Sequence, residues 1–150
     1  MKDRNAYEAE FDAMIREYGW GVQAVFASED GPGFAYTVGL ARKGLPEIIV
    51  FGLPPEAAHP FLNQLGRRFE TEGVPALDVD LFDVAEGYPA RLLPVPRSAA
   101  DEYMFATKHR YPGYSAVQLV WCDKHRHFPW DPAFPDALRG QQPILRNNLH

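Results

Sequence analysis

The sequence predicts one α+β domain over residues 1–150, with a mainly antiparallel sheet or split β-barrel and helices packed outside. Two observations lead to this prediction. Near residue 19 the spacing of apolar residues changes from the 3.6-residue period of a helix to the two-residue period of strands. Three predicted strands then follow one another without a helix between them. The strict β–α alternation of a doubly wound fold is therefore missing.

The first half of the chain is predicted to contain one helix and three strands. An amphipathic helix is expected over residues 3–18, where apolar side chains recur at three- and four-residue spacing. Strands are expected over residues 20–27 and 34–40, and the turn-rich segment between them indicates a hairpin with a long loop. The third strand, over residues 47–53, is apolar almost throughout and is expected at the centre of the sheet.

The second half begins with a helix whose start is marked by two prolines. Proline suits the first helical turn, so this helix is expected to begin near residue 55 and to run to about residue 72. Residues 74–84 are ambiguous, with at most one short strand. The prolines within residues 88–95 predict an edge strand or an irregular one. The remaining elements are a helix over 98–109, a strand over 115–122 that closes the core (19–122), and an irregular proline-rich tail over 123–150 with at most a short helix near 135–139.

Composition indicates a cytoplasmic globular protein. Hydrophobic residues make up 46% and charged residues 23% of the chain, so a packed core is expected. A net charge of −5 lacks the basic footprint of nucleic-acid or anionic-membrane binders, and neither partner is expected. The only cysteine, Cys122, has no second cysteine for an internal disulfide, which suits a reducing compartment. No signal peptide and no membrane-spanning apolar run is recognised.

Three blocks of sequence carry a family resemblance. They are WGVQAVFASEDGPGFAYTVGL, then PEIIVFGLPPEAAHPFLNQL, and finally AVQLVWCDKHRHFPWDP. In this order they resemble the bacterial domain-of-unknown-function family 4262, over roughly residues 19–145. The family name implies no activity. Its members usually carry a proline at the position of Cys122 and a glycine-containing turn near residues 125–127, so the resemblance implies no family role for the residues found there.

A weaker similarity concerns the arrangement of the first strands. The hairpin followed by the strand PEIIVFGL is similar to the opening of flavin-reductase-type split barrels. Those proteins bind FMN at the barrel edge, often as homodimers, and hold the phosphate with a Thr- or Ser-containing strand and backbone amides. At the level of fold alone, the similarity implies FMN as a cofactor, Thr37 as a phosphate contact and a homodimer.

Four residues are candidates for binding a small planar or phosphorylated, flavin-like ligand. Tyr36 and Thr37 are neighbours on a strand and face opposite ways, so only one of them can line a given pocket. Threonine is also simply a good strand residue. Trp130 and Asp131 belong to the block FPWDP, which offers a ring for stacking and a carboxylate for hydrogen bonding. The structural alternative for this block is a lid over one end of the core.

Cys122, His125 and His127 form the most chemically suggestive cluster. On an extended segment the two histidines would project to the same side and, with the thiol, could offer soft metal ligands. No Cys-x-x-Cys or His-Glu-x-x-His spacing supports a metal, and the structural alternative is a polar turn beside a buried thiol. Whether the chain is an enzyme is left open. The alternatives to ligand binding are a non-enzymatic protein-interaction domain and a metal-assisted hydrolase.

Overall fold

The computed structural model describes residues 4–146. Residue 3, expected to begin the first helix, and the last residues of the predicted tail lie outside the described range. The elements in chain order are α1 (Arg4–Tyr18), β1 (Gly21–Val25), β2 (Phe34–Val38), a 3₁₀ helix (Leu40–Lys43), β3 (Glu47–Phe51), α2 (Pro55–Glu72), β4 (Leu81–Ala85), β5 (Tyr88–Val95), α3 (Arg97–Asp101), α4 (Phe105–Arg110), β6 (Ala116–Trp121) and α5 (Asp136–Arg139).

The strands form one six-stranded sheet in the order β1-β2-β3-β6-β5-β4. Every neighbouring pair is antiparallel except β3 and β6, which run parallel. The predicted α+β class and the mainly antiparallel sheet are confirmed. The sheet is open, because β1 and β4 stand at opposite ends of the strand order, and it does not close into the predicted barrel.

The central position predicted for β3 is confirmed. All five of its residues are buried, and it pairs with β2 on one side and β6 on the other. A parallel partner requires a long crossover connection. Here α2, the β4–β5 hairpin and the two short helices lie between the two strands in sequence.

Of the two alternatives predicted for residues 88–95, the edge position is wrong, because β5 lies between β6 and β4, whereas an irregularity is found in the register shift between β4 and β5. Its pairing with β6 runs from Ala90 to Val95, whereas Tyr88 and Ala90 are the β5 residues in register with β4. Pro94 therefore lies beyond the paired part of β4. A proline, which lacks an N–H, is tolerated on a side of a strand that has no partner.

The single helix predicted over residues 98–109 is divided into α3 and α4. The break falls at Met104, whose backbone angles (φ −95°, ψ 59°) are not helical. The Met104 side chain is fully buried beneath the sheet, and the neighbouring Tyr103 ring contacts Phe34 and Phe51 edge-on. The free energy gained by burying these side chains outweighs the free energy that an uninterrupted helix would contribute.

Each face of the sheet carries its own core. One face packs on α2 through large side chains such as Leu62 and Phe69, with Trp20 beside them. Gly66 permits this contact, because a Cβ there would lie 2.8 Å from the Trp20 ring. The other face packs on α1, α3 and α4, and a smaller cluster forms under the C-terminal tail. Among the described residues, no helix is both long and apolar enough to cross a membrane.

Candidate ligand-binding site

A groove of about 540 Å³ lies where the β1–β2 hairpin meets the connection from β3 to α2. We call it the hairpin groove. Its lining residues come from three separate stretches of chain. They are Val25, Phe26, Ala27, Pro32, Gly33, Phe34 and Ala35 of the hairpin, Gly52, Leu53, Pro54, Pro55 and Glu56 after β3, and Gln141 of the tail. Its volume falls within the range of roughly 300–1,000 Å³ typical of small-molecule sites.

Backbone hydrogen bonds hold the walls of the hairpin groove together. The Gly52 amide donates to the Gly33 carbonyl (2.9 Å), which joins the two loops. Within the hairpin loop, Ser28 and Gly31 exchange backbone hydrogen bonds of 3.0 and 3.2 Å. Prolines in both loops restrict the backbone further. These hydrogen bonds and prolines thus fix the walls of the groove relative to each other.

The walls of the hairpin groove are apolar, and one aromatic ring stands out from them. Phe26 is 76% exposed, which is unusual for so large an apolar side chain. Glu56, in the first turn of α2, is the one charged residue among those lining the groove. No acid–base pair or nucleophile accompanies it there. The residues that line the groove are therefore mainly apolar.

Tyr36 is buried in the core under α4, at 2% exposure. Its hydroxyl accepts a hydrogen bond from the Ala106 amide (3.0 Å), close to the start of α4. Burial raises the pKa of this hydroxyl, and the hydrogen bond from Ala106 lowers it by less. Tyr36 does not line the hairpin groove.

Thr37 faces the opposite way and is fully buried. Its hydroxyl donates to Glu47 Oε1 (2.8 Å) and accepts from the Ile48 amide (2.8 Å). Its carbonyl accepts from the Thr107 hydroxyl (2.8 Å). Both the donor and an acceptor site of the Thr37 hydroxyl are used within the protein.

The partner of Thr37 is a fully buried carboxylate, that of Glu47. It accepts three further hydrogen bonds, from the backbone amides of Gly39 (2.9 Å), Leu40 (3.0 Å) and Ala41 (3.1 Å). These amides begin the 3₁₀ helix. Burial raises the pKa of Glu47 above its ordinary value, although all four hydrogen bonds act to lower it.

Trp130 and Asp131 lie far along the sheet from Tyr36 and Thr37. Trp130 is 39% exposed and stacks on Phe128 at a centroid distance of 4.9 Å. The guanidinium of Arg91, a β5 residue, lies 5.3 Å from the Trp130 ring. Two strands, β3 and β6, separate β5 from β2. The Asp131 carboxylate accepts from the Ala133 amide (3.0 Å) within its own turn.

The segment after β6 is organised by Asp123. Its carboxylate accepts hydrogen bonds from the backbone amides of His125 (2.9 Å) and His127 (2.7 Å). The second carboxylate oxygen lies 3.1 Å from His127 Nδ1. Burial alone would raise the pKa of Asp123, but the hydrogen bonds from His127 and His125 outweigh it and lower that pKa. The arrangement is a polar turn at the end of a core strand.

Cys122 and the two histidines do not converge on a common point. The His125 and His127 rings are 6.2 Å apart, and burial raises the pKa of the Cys122 thiol. Within residues 4–146, no group of three or more His, Cys, Asp or Glu side chains is placed to hold a metal ion. A raised thiol pKa disfavours the thiolate form that ligation and nucleophilic attack require.

Sequence reasoning missed both Glu47 and the hairpin groove. Glu47 had a visible signal, because a charged residue opens the otherwise apolar strand EIIVF. The groove had a weaker signal in the sequence, namely the prolines and glycines of residues 31–33 and 52–55. The first segment was predicted as a turn and the second as the junction between a strand and a helix, but nothing in the sequence places them side by side. Two of the three blocks that carry the family resemblance reach the groove, the first through residues such as Gly33 and Phe34 and the second through residues such as Leu53 and Pro54.

Comparison with known protein families identifies the family of this chain. The model of a family described as "Domain of unknown function (DUF4262)" matches residues 14–135 of the chain. No curated protein and no solved structure matches at the significance required. The resemblance to flavin-reductase split barrels is therefore not shown by any of these comparisons.

Proposed function

This chain belongs to the DUF4262 family, and from that premise we propose that it binds a small, flat, largely apolar molecule in the hairpin groove. The observation that supports the proposal is the groove itself, with about 540 Å³ of space, apolar walls and proline-stiffened rims. Pre-formed apolar clefts of this size are the usual sites for small molecules. A heteroaromatic ring system like that of a flavin fits this description.

The ligand contacts in this proposal come from the rim of the groove. Phe26 offers an exposed ring face, and Val25 and Leu53 offer aliphatic contact. Offset stacking of aromatic rings contributes about 0.5–1.5 kcal/mol beyond the area that they bury. Tyr36 and Thr37 support the groove from within the sheet instead of contacting the ligand, because their hydroxyls are bonded inside the protein.

The charge of the groove favours a ligand without phosphate. Glu56 is acidic, and no Lys or Arg lines the groove among the described residues. The N-terminus of α2 carries a partial positive charge, which Glu56 already complements. A phosphate would therefore meet a like charge with no cation to offset it.

Riboflavin and FMN, which differ by one phosphate, test the proposal directly. Quenching of flavin fluorescence or a thermal shift should show that wild-type protein binds riboflavin more tightly than FMN. Phe26→Ala should raise the Kd for riboflavin about two- to thirteenfold, because a stacking contact of about 0.5–1.5 kcal/mol is lost. Phe82→Ala is the matched control, since Phe82 is 74% exposed on the opposite edge strand and lies outside the groove.

A second variant tests the charge argument. Glu56→Gln should reduce the difference in Kd between FMN and riboflavin, because the negative charge near the phosphate is removed. The Kd for riboflavin should stay nearly unchanged. Lack of riboflavin binding at about millimolar concentration, equivalent to less than about 4 kcal/mol of binding free energy, would refute the proposal. An equal loss of riboflavin affinity in Phe26→Ala and Phe82→Ala would show that the ligand binds outside the hairpin groove.

A further inference from the structure

A second groove lies where the end of α1 and the start of β1 meet α2. We call it the Trp20 pocket. It holds about 400 Å³, which is within the range of roughly 300–1,000 Å³ for small-molecule sites. Met14 and Tyr18 of α1 line it on one side, Trp20 and Val22 lie beside them, and α2 forms the other side. The Trp20 pocket and the hairpin groove have no lining residue in common.

The side of the pocket that α2 forms is polar. His59, Asn63 and Arg67 are four residues apart, so they follow one another along a single face of the helix. Gly66 lets this part of α2 approach Trp20 closely, because a Cβ at position 66 would lie 2.8 Å from the indole ring. An imidazole, an amide and a guanidinium therefore share one wall of the pocket, and all three can donate hydrogen bonds.

The Asn63 side chain is oriented by the buried indole of Trp20. Trp20 Nε1 donates a hydrogen bond to Asn63 Oδ1 (3.0 Å). Because an indole N–H can only donate, this contact identifies the oxygen of the Asn63 amide. Its NH₂ group is on the other branch of the side chain, and within residues 4–146 it makes no hydrogen bond. The amide thus offers its donors to the pocket.

Arg67 stands at the exposed rim of the pocket without a carboxylate partner among the described residues. The next residue, Arg68, is by contrast paired with Asp83 (2.8 Å) on another face of α2. The Arg67 guanidinium lies 6.0 Å from the Trp20 ring. In the described chain no Asp or Glu lines the pocket, although the whole protein has a net charge of −5. The pocket is therefore a recess of positive charge in an acidic protein.

The number of available cations favours a carboxylate over a phosphate. Lys43 also lies near the Trp20 ring, at 5.8 Å, but it is paired with Glu70. Arg67 is thus the cation left to bind an anion. The planar fork of one guanidinium matches one carboxylate with two parallel hydrogen bonds. A phosphate group carries more charge than one guanidinium neutralises.

We propose that the Trp20 pocket binds a small aromatic carboxylate. Arg67 holds the carboxylate through two N–H···O hydrogen bonds, and the Asn63 NH₂ group donates a third. The ring of the ligand lies against Met14, Val22 and Tyr18. The Tyr18 side chain is 64% exposed and offers a ring face, and methionine sulfur makes favourable contacts with aromatic rings.

Cinnamate and its amide, cinnamamide, have nearly the same shape and differ in charge, so together they test the proposal. Isothermal titration calorimetry should show that wild-type protein binds cinnamate with a Kd below about 1 mM. Cinnamamide should bind at least about tenfold more weakly, because hydrogen bonds to an ionised partner are stronger than those between neutral groups.

Two variants of α2 test the residues that the proposal assigns. Arg67→Gln should raise the Kd for cinnamate about tenfold, because the charged donor is lost. Arg68→Gln is the matched control, since it removes the same charge one position away but outside the pocket, and it should bind cinnamate like wild type. Asn63→Asp keeps an oxygen to accept from Trp20 Nε1 but replaces the NH₂ donor with a negative charge. It should abolish cinnamate binding and keep the circular dichroism spectrum of wild type.

The two proposed sites can fail separately. Arg67→Gln should bind riboflavin like wild type, and Phe26→Ala should bind cinnamate like wild type, because neither residue lines the other site. Three results would each overturn the proposal for the Trp20 pocket. They are an absence of cinnamate binding at about 5 mM, equal Kd values for cinnamate and cinnamamide, and equal effects of Arg67→Gln and Arg68→Gln on the Kd for cinnamate.

Discussion

One buried carboxylate, that of Glu47, organises the chain between β2 and β3. It accepts a hydroxyl and three backbone amides, and the Gly39 amide reaches it only because the backbone there adopts a φ of 132°. At this φ a side chain would be strained, and a Cβ would also lie 2.8 Å from Trp20 Cα. A buried charge is tolerated when it is fully hydrogen-bonded, so each of these donors matters for stability.

Replacing Glu47 with glutamine should therefore destabilise the fold. Glutamine keeps one acceptor oxygen but turns an NH₂ group towards backbone amides that now donate to the second carboxylate oxygen. Urea unfolding should show a loss of about 1–3 kcal/mol, the usual cost of a buried polar group left without its partner. Glu102→Gln, at an exposed position, is the control and should unfold like wild type. Equal unfolding midpoints for all three proteins would contradict the role given to Glu47.

At the scale of elements, two buried glutamines hold the C-terminal tail against β6. Gln118 donates to the Pro143 carbonyl (2.7 Å) and accepts from the Leu145 amide (2.9 Å). In return, Gln142 accepts from the Trp121 amide (2.9 Å) and donates to its carbonyl (3.0 Å). The side-chain amides of Gln118 and Gln142 thus form hydrogen bonds between β6 and the tail, as backbone groups do between two paired strands. Residues 142–145 of the tail are therefore bound to β6.

Gln118→Leu should release this tail locally. The substitution preserves side-chain bulk but removes both hydrogen bonds, each contributing about 0.5–1.5 kcal/mol. Hydrogen exchange measured by mass spectrometry should be at least about fivefold faster in the peptide that contains Leu145, because local opening becomes easier. The exposed Gln141 provides the control, as Gln141→Leu should leave that rate unchanged. Wild-type exchange in Gln118→Leu would show that the tail is held by packing alone.

Across the whole molecule, the pKa values of carboxyl groups are shifted in two opposite directions, so their contributions to stability depend on pH in opposite ways. Hydrogen bonds from Arg97 lower the pKa of Asp101, and those from Arg68 lower the pKa of Asp83. The stability that these groups contribute is lost as the pH falls through their lowered pKa values. Burial raises the pKa of Glu47. Its contribution is fully present below its ordinary value of 4.5 and is lost as the pH rises through the raised pKa.

Comparison of wild type with Glu47→Gln isolates the pH dependence of stability that the raised pKa of Glu47 causes. The other carboxylates are common to both proteins, so their contributions cancel in the difference between the two unfolding free energies. That difference should shrink as the pH rises from about 4.5 to neutrality, since only the wild type must ionise a buried group. Urea unfolding at several pH values measures it. A difference that grows with pH would mean that the four hydrogen bonds outweigh burial.

Periodicity in the sequence was enough to predict most elements of this fold. The two-residue alternation after residue 19 predicted the first hairpin, and the apolar run from residue 47 predicted a central strand. Such patterns are local, because burial of one face repeats along a strand or helix. Errors occurred where long-range packing decided the outcome. The prolines of residues 88–95 were interpreted as a sign of an edge or irregular strand, yet β5 is internal. The local pattern would also continue one helix through Met104, where the structure has the break between α3 and α4.

The sequence on its own determined the α+β class and the family, whose first block of resemblance includes the segment from Gly33 to Leu40. Only the tertiary structure decided what each part of that segment does. Tyr36 and Thr37 turn into the two cores, and Thr37 meets Glu47 ten positions away. Gly33, Phe34 and Ala35 line a groove with Leu53 and residues beyond it. Side-chain alternation follows from neighbouring positions, whereas a groove depends on which distant loops the sheet brings together.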